Sequence, residues 1–347
     1  MEKFSQYRDR GTQIAPFLEI SSPHTFAQLP LSITLLCLRF PFFLFLFIAY
    51  FGVLQWLPIG SLVRKACLWM ILLVSGVWWV DLQVEGVKKG SLSKQSKKLP
   101  RAGTVIVSSF TSPIDILYLA AVFDPIFTTS YPNTREIERL SLLPAIIRSL
   151  SPPLSQPPPG TKLVTLPRLL AENPNRSIAL FPECTPTNGR GILRFSPSLD
   201  STPEDTPIFP ISIRYTPADV TTPVPGWSTA GNFVWRLLSG GTHCVRVRIA
   251  GEIYNHPGEG EKPTYDGIED EGYGEEVDEN GYGSGSGPEL KRRAGGAGVE
   301  EKEKPQSTLC VKGGEALARI GRVKRLNLGV KEKVEFVQAW MKNTKGG

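Results

Sequence analysis

Histidine is nearly absent from this 347-residue chain. Three occur, at positions 24, 243 and 256, and none stands at metal-ligand spacing from a cysteine or another histidine. Neither a zinc centre nor any other metal is expected. The five cysteines (37, 67, 184, 244 and 310) are scattered, odd in number and without a Cys-x-x-Cys pair. That pattern points to a reducing compartment and no disulfide framework. No glycine-rich loop follows Val107, which sets aside a nucleotide-binding fold. No helix-turn-helix, finger or RNA-binding signature is present either. Apolar sequence begins only at Leu31 and no small-residue cleavage site follows, so an ordinary cleaved signal peptide is not expected.

What the chain does have is unevenly distributed charge and apolarity. The formal charge is +6, yet residues 256–306 hold 14 acidic against 6 basic side chains, a net of −8 that leaves +14 on the remainder. A basic body suggests an anionic partner: a phosphorylated substrate, a phospholipid surface or, least well supported, nucleic acid. Residues 31–57 are almost wholly apolar and long enough to cross a bilayer. A second apolar stretch, 66–80, is shorter and edged by Trp69, Trp78 and Trp79, residues that favour the lipid–water boundary. Together they read as a membrane helical hairpin within residues 31–83, spanning or dipping into one leaflet, after a polar segment 1–30. Buried core helices are the alternative, disfavoured because soluble helices of this length carry a polar stripe. The lysine cluster between Val84 and Arg101 marks a cytosolic, lipid-facing side.

From Thr104 onward strands alternate with helices, so residues 84–255 read as an α/β domain. Strands are expected at 104–109, 126–130, 162–166, 177–181, 207–215 and 243–250. Helices are expected from Pro113, over 134–150 with an interruption at Pro144, and over 167–172 and 227–238. Pro210 argues for an edge or bulge, and residues 151–160 form a proline-rich connector. Residues 256–307 are glycine- and acid-rich and should stay unfolded, while 308–347 form a basic helical end. There Val334, Val337 and Trp340–Met341 share one face.

The stretch Ser177–Phe195 carries the densest chemistry. A short apolar run, Ser177–Phe181, stops at Pro182 and feeds a loop with Glu183, Thr185, Asn188, Gly189, Arg190 and, further on, Arg194. Open α/β sheets place ligands at such strand ends. Arg190, and after it Arg194, can offer forked donors to phosphate; a plain Glu183–Arg190 surface pair is the bland alternative. A second turn, Phe110 to Asp115, has Ser112 as the expected helix cap with Asp115 in the first turn, and Thr111 beside it.

These residues resemble the glycerolipid acyltransferase superfamily of the lysophosphatidic acid acyltransferase type. That family has a two-helix membrane motif, then His-x4-Asp, Phe-Pro-Glu-Gly-Thr and a Val-Pro-type strand. The counterparts here are Phe110-Thr-Ser-Pro-Ile-Asp115, Phe181-Pro-Glu-Cys-Thr185 and Phe209-Pro-Ile-Ser212. Met1-Glu-Lys3, Arg8-Asp9, Gly11-Thr12, Ile14-Ala-Pro-Phe-Leu18, Asn188-Gly189 and the basic end, residues 321–340, resemble the fungal branch, the lysophosphatidic acid:oleoyl-CoA acyltransferases. The resemblance implies a mixed sheet flanked by helices behind a membrane hairpin. It also implies acyl transfer from acyl-CoA, as co-substrate without a further cofactor, to lysophosphatidic acid. The setting would be the endoplasmic reticulum membrane and lipid droplet, with the domain facing the cytosol.

Two departures matter. Phe110 stands where the family has the histidine that takes the acceptor proton, and Cys184 where it has glycine. Asp115 or Glu183 could act as base if burial raised their pKa. A thioester is already activated, so alignment of the substrates could itself supply much of the acceleration. His243 reads as a core histidine on the apolar face of a strand, and Cys184 lacks an adjacent base that would make it a nucleophile. Thr111, Ser112, Thr185, Asn188, Gly189, Arg190 and Arg194 are the substrate-contact candidates. A non-catalytic lipid-binding protein of the same fold is the competing reading.

Overall fold

The structure is a computed structural model that describes residues 2–20, 29–57, 60–88, 90–91, 95, 97–255 and 306–345. Most of the acidic stretch expected to stay unfolded lies outside these residues. The membrane-type segment comprises α1 (Leu29–Ile48), continued by a wider turn over Ala49–Leu54, and α2 (Ser61–Val74). Leu29–Leu54 is a 26-residue run long and apolar enough to cross a membrane. At 14 residues, α2 falls short of that length.

The hairpin expected to continue to residue 80 ends earlier. Gly76 breaks the helix at φ +85, and a Cβ there would lie 3.0 Å from the Arg39 guanidinium. Val77–Val84 is instead a strand, β1. Its valines and tryptophans suit a pleated, half-covered surface better than a helix.

The sheet that follows is built from β2 (Val105–Ser108), β3 (Ile126–Ser130), β4 (Ile137–Leu140), β5 (Leu163–Val164), β6 (Ile178–Leu180), β8 (Ile208–Thr216) and β9 (His243–Ile249). The short β7 (Gly191–Ile192) pairs with β10 (Lys324–Arg325) in a separate ribbon. With β1 at one edge, the eight-stranded order is β1-β9-β8-β2-β6-β3-β4-β5. The centre, β8-β2-β6-β3, is parallel, while β9 runs against β8, and β4 against both β3 and β5.

The strands at the centre alternate their side chains between two cores, as their two-residue period requires. Ile106 faces α2 and α3 (Pro113–Phe123), together with α6 (Trp227–Ser239). Val105 and Val107 face α5 (Leu166–Glu172) and α7 (Thr308–Gly321). This is a mixed α/β sheet flanked by helices.

Two local expectations are corrected. Residues 137–140 pair with β3 rather than joining a helix, and α4 begins only at Leu142 (Leu142–Leu150). That places Pro144 in the first turn, where a missing N–H costs nothing. Pro210 lies in the central strand β8, between β2 and β9. Its carbonyl accepts from the Ala250 N–H (2.9 Å), so its nitrogen faces the point where β9 has just ended at Ile249.

The two ends of the chain meet. Phe4, Tyr7 and Phe17 pack on Phe336, and Phe4 also packs on Trp340, of α8 (Val330–Lys345). The helix therefore docks on the core through Phe336 and Val337. Arg39, midway along α1, donates to the carbonyls of Leu238, Gly240 and Gly241 (3.3, 2.6 and 2.8 Å), at and just past the end of α6.

Candidate active site

Parallel β2 and β6 end side by side, so the turns that follow them, 109–112 and 182–188, are brought together by the register of the sheet. The Thr187 N–H donates to the Phe110 carbonyl (2.9 Å). The Phe110 N–H donates to Glu183 Oε1 (3.3 Å), and the Leu193 N–H to Glu183 Oε2 (3.1 Å). One carboxylate thus clamps both turns. Glu183 is buried, and burial with Asp115 nearby pushes its carboxyl up to about 8 despite these donors.

Asp115 is held within its own turn. Oδ2 accepts from the Thr111 N–H (2.7 Å), the Thr111 hydroxyl (2.9 Å) and the Ser112 N–H (3.0 Å), and Oδ1 from the Tyr215 hydroxyl. Ser112 caps α3 as expected, accepting from the Ile114 N–H, while its hydroxyl donates to the Val220 carbonyl (2.8 Å). Burial raises the Asp115 carboxyl to about 6, opposed by those four donors. With both oxygens occupied, Asp115 is placed to shape the turn.

The loop candidates divide. Asn188 binds the N-terminal segment, donating from its side chain to the carbonyls of Ala15 (2.7 Å) and Leu18 (2.9 Å). Thr185 Oγ1 is buried without a partner among the described residues. Gly189 packs beside Thr111. Arg190 is exposed, and Arg194 is half-buried with its N–H on the Leu328 carbonyl (3.0 Å). Neither lines either of the two clefts beside the turns.

Cys184 sits at φ +59, the left-handed region where its glycine counterpart would be unstrained. Its thiol is buried and pushed up to about 12, which leaves no thiolate to carry an acyl group. His243 is buried on β9, with Nε2 on the Leu237 carbonyl (3.1 Å), and lines neither cleft.

Three participants escaped the sequence reading. Tyr215 bonds Asp115. Lys333 of α8 is fully enclosed; it donates to the Pro186 carbonyl, and burial lowers it to about 7. Arg148 at the end of α4 lines a narrow cleft with Phe110, Phe181 and Cys184. The second cleft, equally narrow, is lined by Thr111, Glu183, Thr187, Gly189 and Arg214, among others. Among the described residues no His/Cys/Asp/Glu group could hold a metal ion.

No protein-family model matches the chain. A Schizosaccharomyces pombe protein named "Putative lysophosphatidic acid:oleoyl-CoA acyltransferase" is 28% identical over 264 residues, 73% of this chain and 85% of that protein. The Saccharomyces cerevisiae lysophosphatidic acid:oleoyl-CoA acyltransferase 1 is 28% identical over 196 residues, 56% of this chain and 61% of its own. The chain is thus similar to two fungal proteins named as lysophosphatidic acid:oleoyl-CoA acyltransferases.

The crystal structure of a 1-acyl-sn-glycerophosphate acyltransferase, PlsC, from Thermotoga maritima is also similar. It shares 16% identity at a TM-score of 0.31, over 66% of this chain and 86% of that one. The architecture of this chain is therefore read from its own strand order. Its two motif turns meet although the histidine position is filled by Phe110, whose ring packs on Phe181 with centroids 4.8 Å apart.

Proposed function

We propose that this protein is a membrane-associated acyltransferase that moves a fatty acyl group, oleoyl preferred, from CoA to lysophosphatidic acid, giving phosphatidic acid. The observation that carries the reading is the junction of the two turns through Thr187, Phe110 and Glu183, in a chain that also carries a membrane-length apolar helix and is similar to named acyltransferases. The acceptor hydroxyl attacks the thioester carbonyl, the C–S bond breaks, and CoA leaves as the thiol. The site of action is the cytosolic face of the endoplasmic reticulum and lipid droplets, where the apolar segment holds the cleft against its lipid substrate. The aligned turns supply proximity, which accounts for a large share of many rate enhancements. Asp115 and Glu183 keep that alignment.

Phe110 in place of histidine favours a second reading, a lipid-binding protein without turnover. Purified protein in lipid, given oleoyl-CoA and a panel of lysophospholipids, separates the two. Release of CoA with lysophosphatidic acid is expected. Lysolipid binding without CoA release would give the second reading its support.

A further inference from the structure

The peptide group between Pro186 and Thr187 is held from both sides. Its N–H donates to the Phe110 carbonyl (2.9 Å), the bond that joins the two motif turns. Its oxygen accepts from Nζ of Lys333, which reaches it from α8, 147 residues further along the chain. Lys333 stands one turn before Phe336 and Val337 and shares their inward face, while Lys331 is exposed. Only 1% of Lys333 is accessible. Its Nζ lies 6.0 Å from the centre of the Phe17 ring, and Glu183 is the carboxylate that faces it.

The next residue of the loop, Asn188, is anchored by the N-terminal segment. Its N–H donates to the Pro16 carbonyl (2.9 Å), and its side chain donates to the carbonyls of Ala15 and Leu18. Phe17, within that segment, packs on Phe336. The two ends of the chain thus form one backing behind the Glu183 loop, and Lys333 carries its bond to the junction.

Burying an amine costs free energy unless it is hydrogen-bonded, and an apolar side chain would fill the same space without that cost. An apolar side chain would leave the Pro186 oxygen unheld, and turning of that peptide would carry the Thr187 N–H away from Phe110. Lys333 lines neither cleft, so its influence on the reaction passes through this peptide.

We propose that Lys333 is a positioning residue: by fixing the Pro186–Thr187 peptide it sets the alignment of the Glu183 loop against the Phe110 turn. Its effect on turnover rests on the acyl-transfer reading; the restraint on the loop does not.

The test compares full-length Lys333→Met, which has no donor, and Lys333→Gln, whose donor sits on a stem one bond shorter, with the parent. Hydrogen exchange of the detergent-solubilised proteins is followed by mass spectrometry over residues 183–190 and over the central strands. CoA release from oleoyl-CoA with lysophosphatidic acid gives kcat and KM. Losing one side of the restraint should speed exchange at Thr187 at least about tenfold, with the strands unchanged. The misaligned loop should lower kcat about tenfold or more and shift KM less than about twofold, since no cleft wall is altered. Lys333→Gln should fall between Met and parent, which a lysine that only fills space would not produce.

Unchanged exchange at Thr187 in a folded Lys333→Met protein would overturn the inference while leaving the acyltransferase intact. Exchange that quickens equally along the whole chain overturns it too, since Lys333 then contributes only stability. A loosened loop with kcat unmoved overturns the role in alignment. Local quickening in the variant, with no CoA release by the parent, keeps the restraint and removes the enzyme. Should Lys333→Met fail to fold, Lys333→Gln decides: parent-like exchange and kcat there overturn the proposal.

Discussion

Replacing Glu183 by glutamine isolates what the clamp between the turns does. The carboxylate accepts two backbone N–H bonds, from Phe110 and Leu193. Glutamine keeps one acceptor and turns an NH2 group toward the other donor, so one buried N–H loses its partner, at a cost of about 1–3 kcal/mol. Against this stands the charge. The folded-state carboxyl titrates at about 8 rather than its ordinary 4.5, chiefly because it is buried. A raised carboxyl stabilises the fold while it stays neutral, below the unfolded pKa. That contribution is lost as pH climbs through the folded value.

Between pH 5 and pH 9 the linkage amounts to about 4 kcal/mol against the parent, and glutamine is spared it. Lys333, lowered to about 7, is protonated in both proteins at pH 5 and neutral in both at pH 9, so it cancels at either end. Glu183→Gln should therefore be the less stable protein at pH 5 and equal to or more stable than the parent at pH 9. Urea unfolding of the detergent-solubilised proteins, followed by tryptophan fluorescence, reads this directly. A stability difference that stays constant from pH 5 to pH 9 would refute the argument.

Asp115→Asn retains the shape but sets an NH2 against one of the donors in the turn; it should cost about 1–3 kcal/mol in the same unfolding assay and lower CoA release through kcat rather than KM. Cys184→Ala should retain full CoA release, since its thiol stays protonated, while Cys184→Gly should relieve about 1 kcal/mol of left-handed backbone strain, partly offset by the lost thiol packing. Activity abolished by alanine would restore a chemical role for the cysteine. Arg39→Ala removes three bonds to the carbonyls at the end of α6 and should make the start of α2, at Arg64–Lys65, cleavable by trypsin in limited proteolysis of liposome-bound protein; an unchanged digestion pattern would show that this anchor does not matter.

Much of this was legible in the sequence because local rules and the global fold agree there. Ser112-Pro-Ile-Asp115 announces a capped helix start, and the structure shows that cap in full. The alternation from His243 to Ile249 survives as β9. What escaped depends on distant neighbours. A buried lysine cannot be told from its solvated companions in a basic helix; only the Pro186 carbonyl and the Phe17 ring, far away in sequence, enclose Lys333. Asn188 looked like a ligand contact because nothing local reveals that residues 15–18 return to meet it. Val77–Val80 reads as the end of an apolar run, and only pairing with β9, more than 150 residues on, makes Val77–Val84 a strand.

The same contacts narrow what chemistry this site can perform. In a histidine-based centre the aspartate orients the base. Here Phe110 removes the base, and the Asp115 oxygens are taken by Thr111, Ser112 and Tyr215. Glu183 spends its oxygens on the backbone of both turns. Each carboxylate oxygen thus already accepts at least one bond that holds the site in shape. These bonds are architecture, and the contribution the two joined turns can make is to hold an activated thioester and an acceptor in register. That contribution depends on the walls of the two clefts, which Phe110, Phe181 and Glu183 of the motif turns themselves supply.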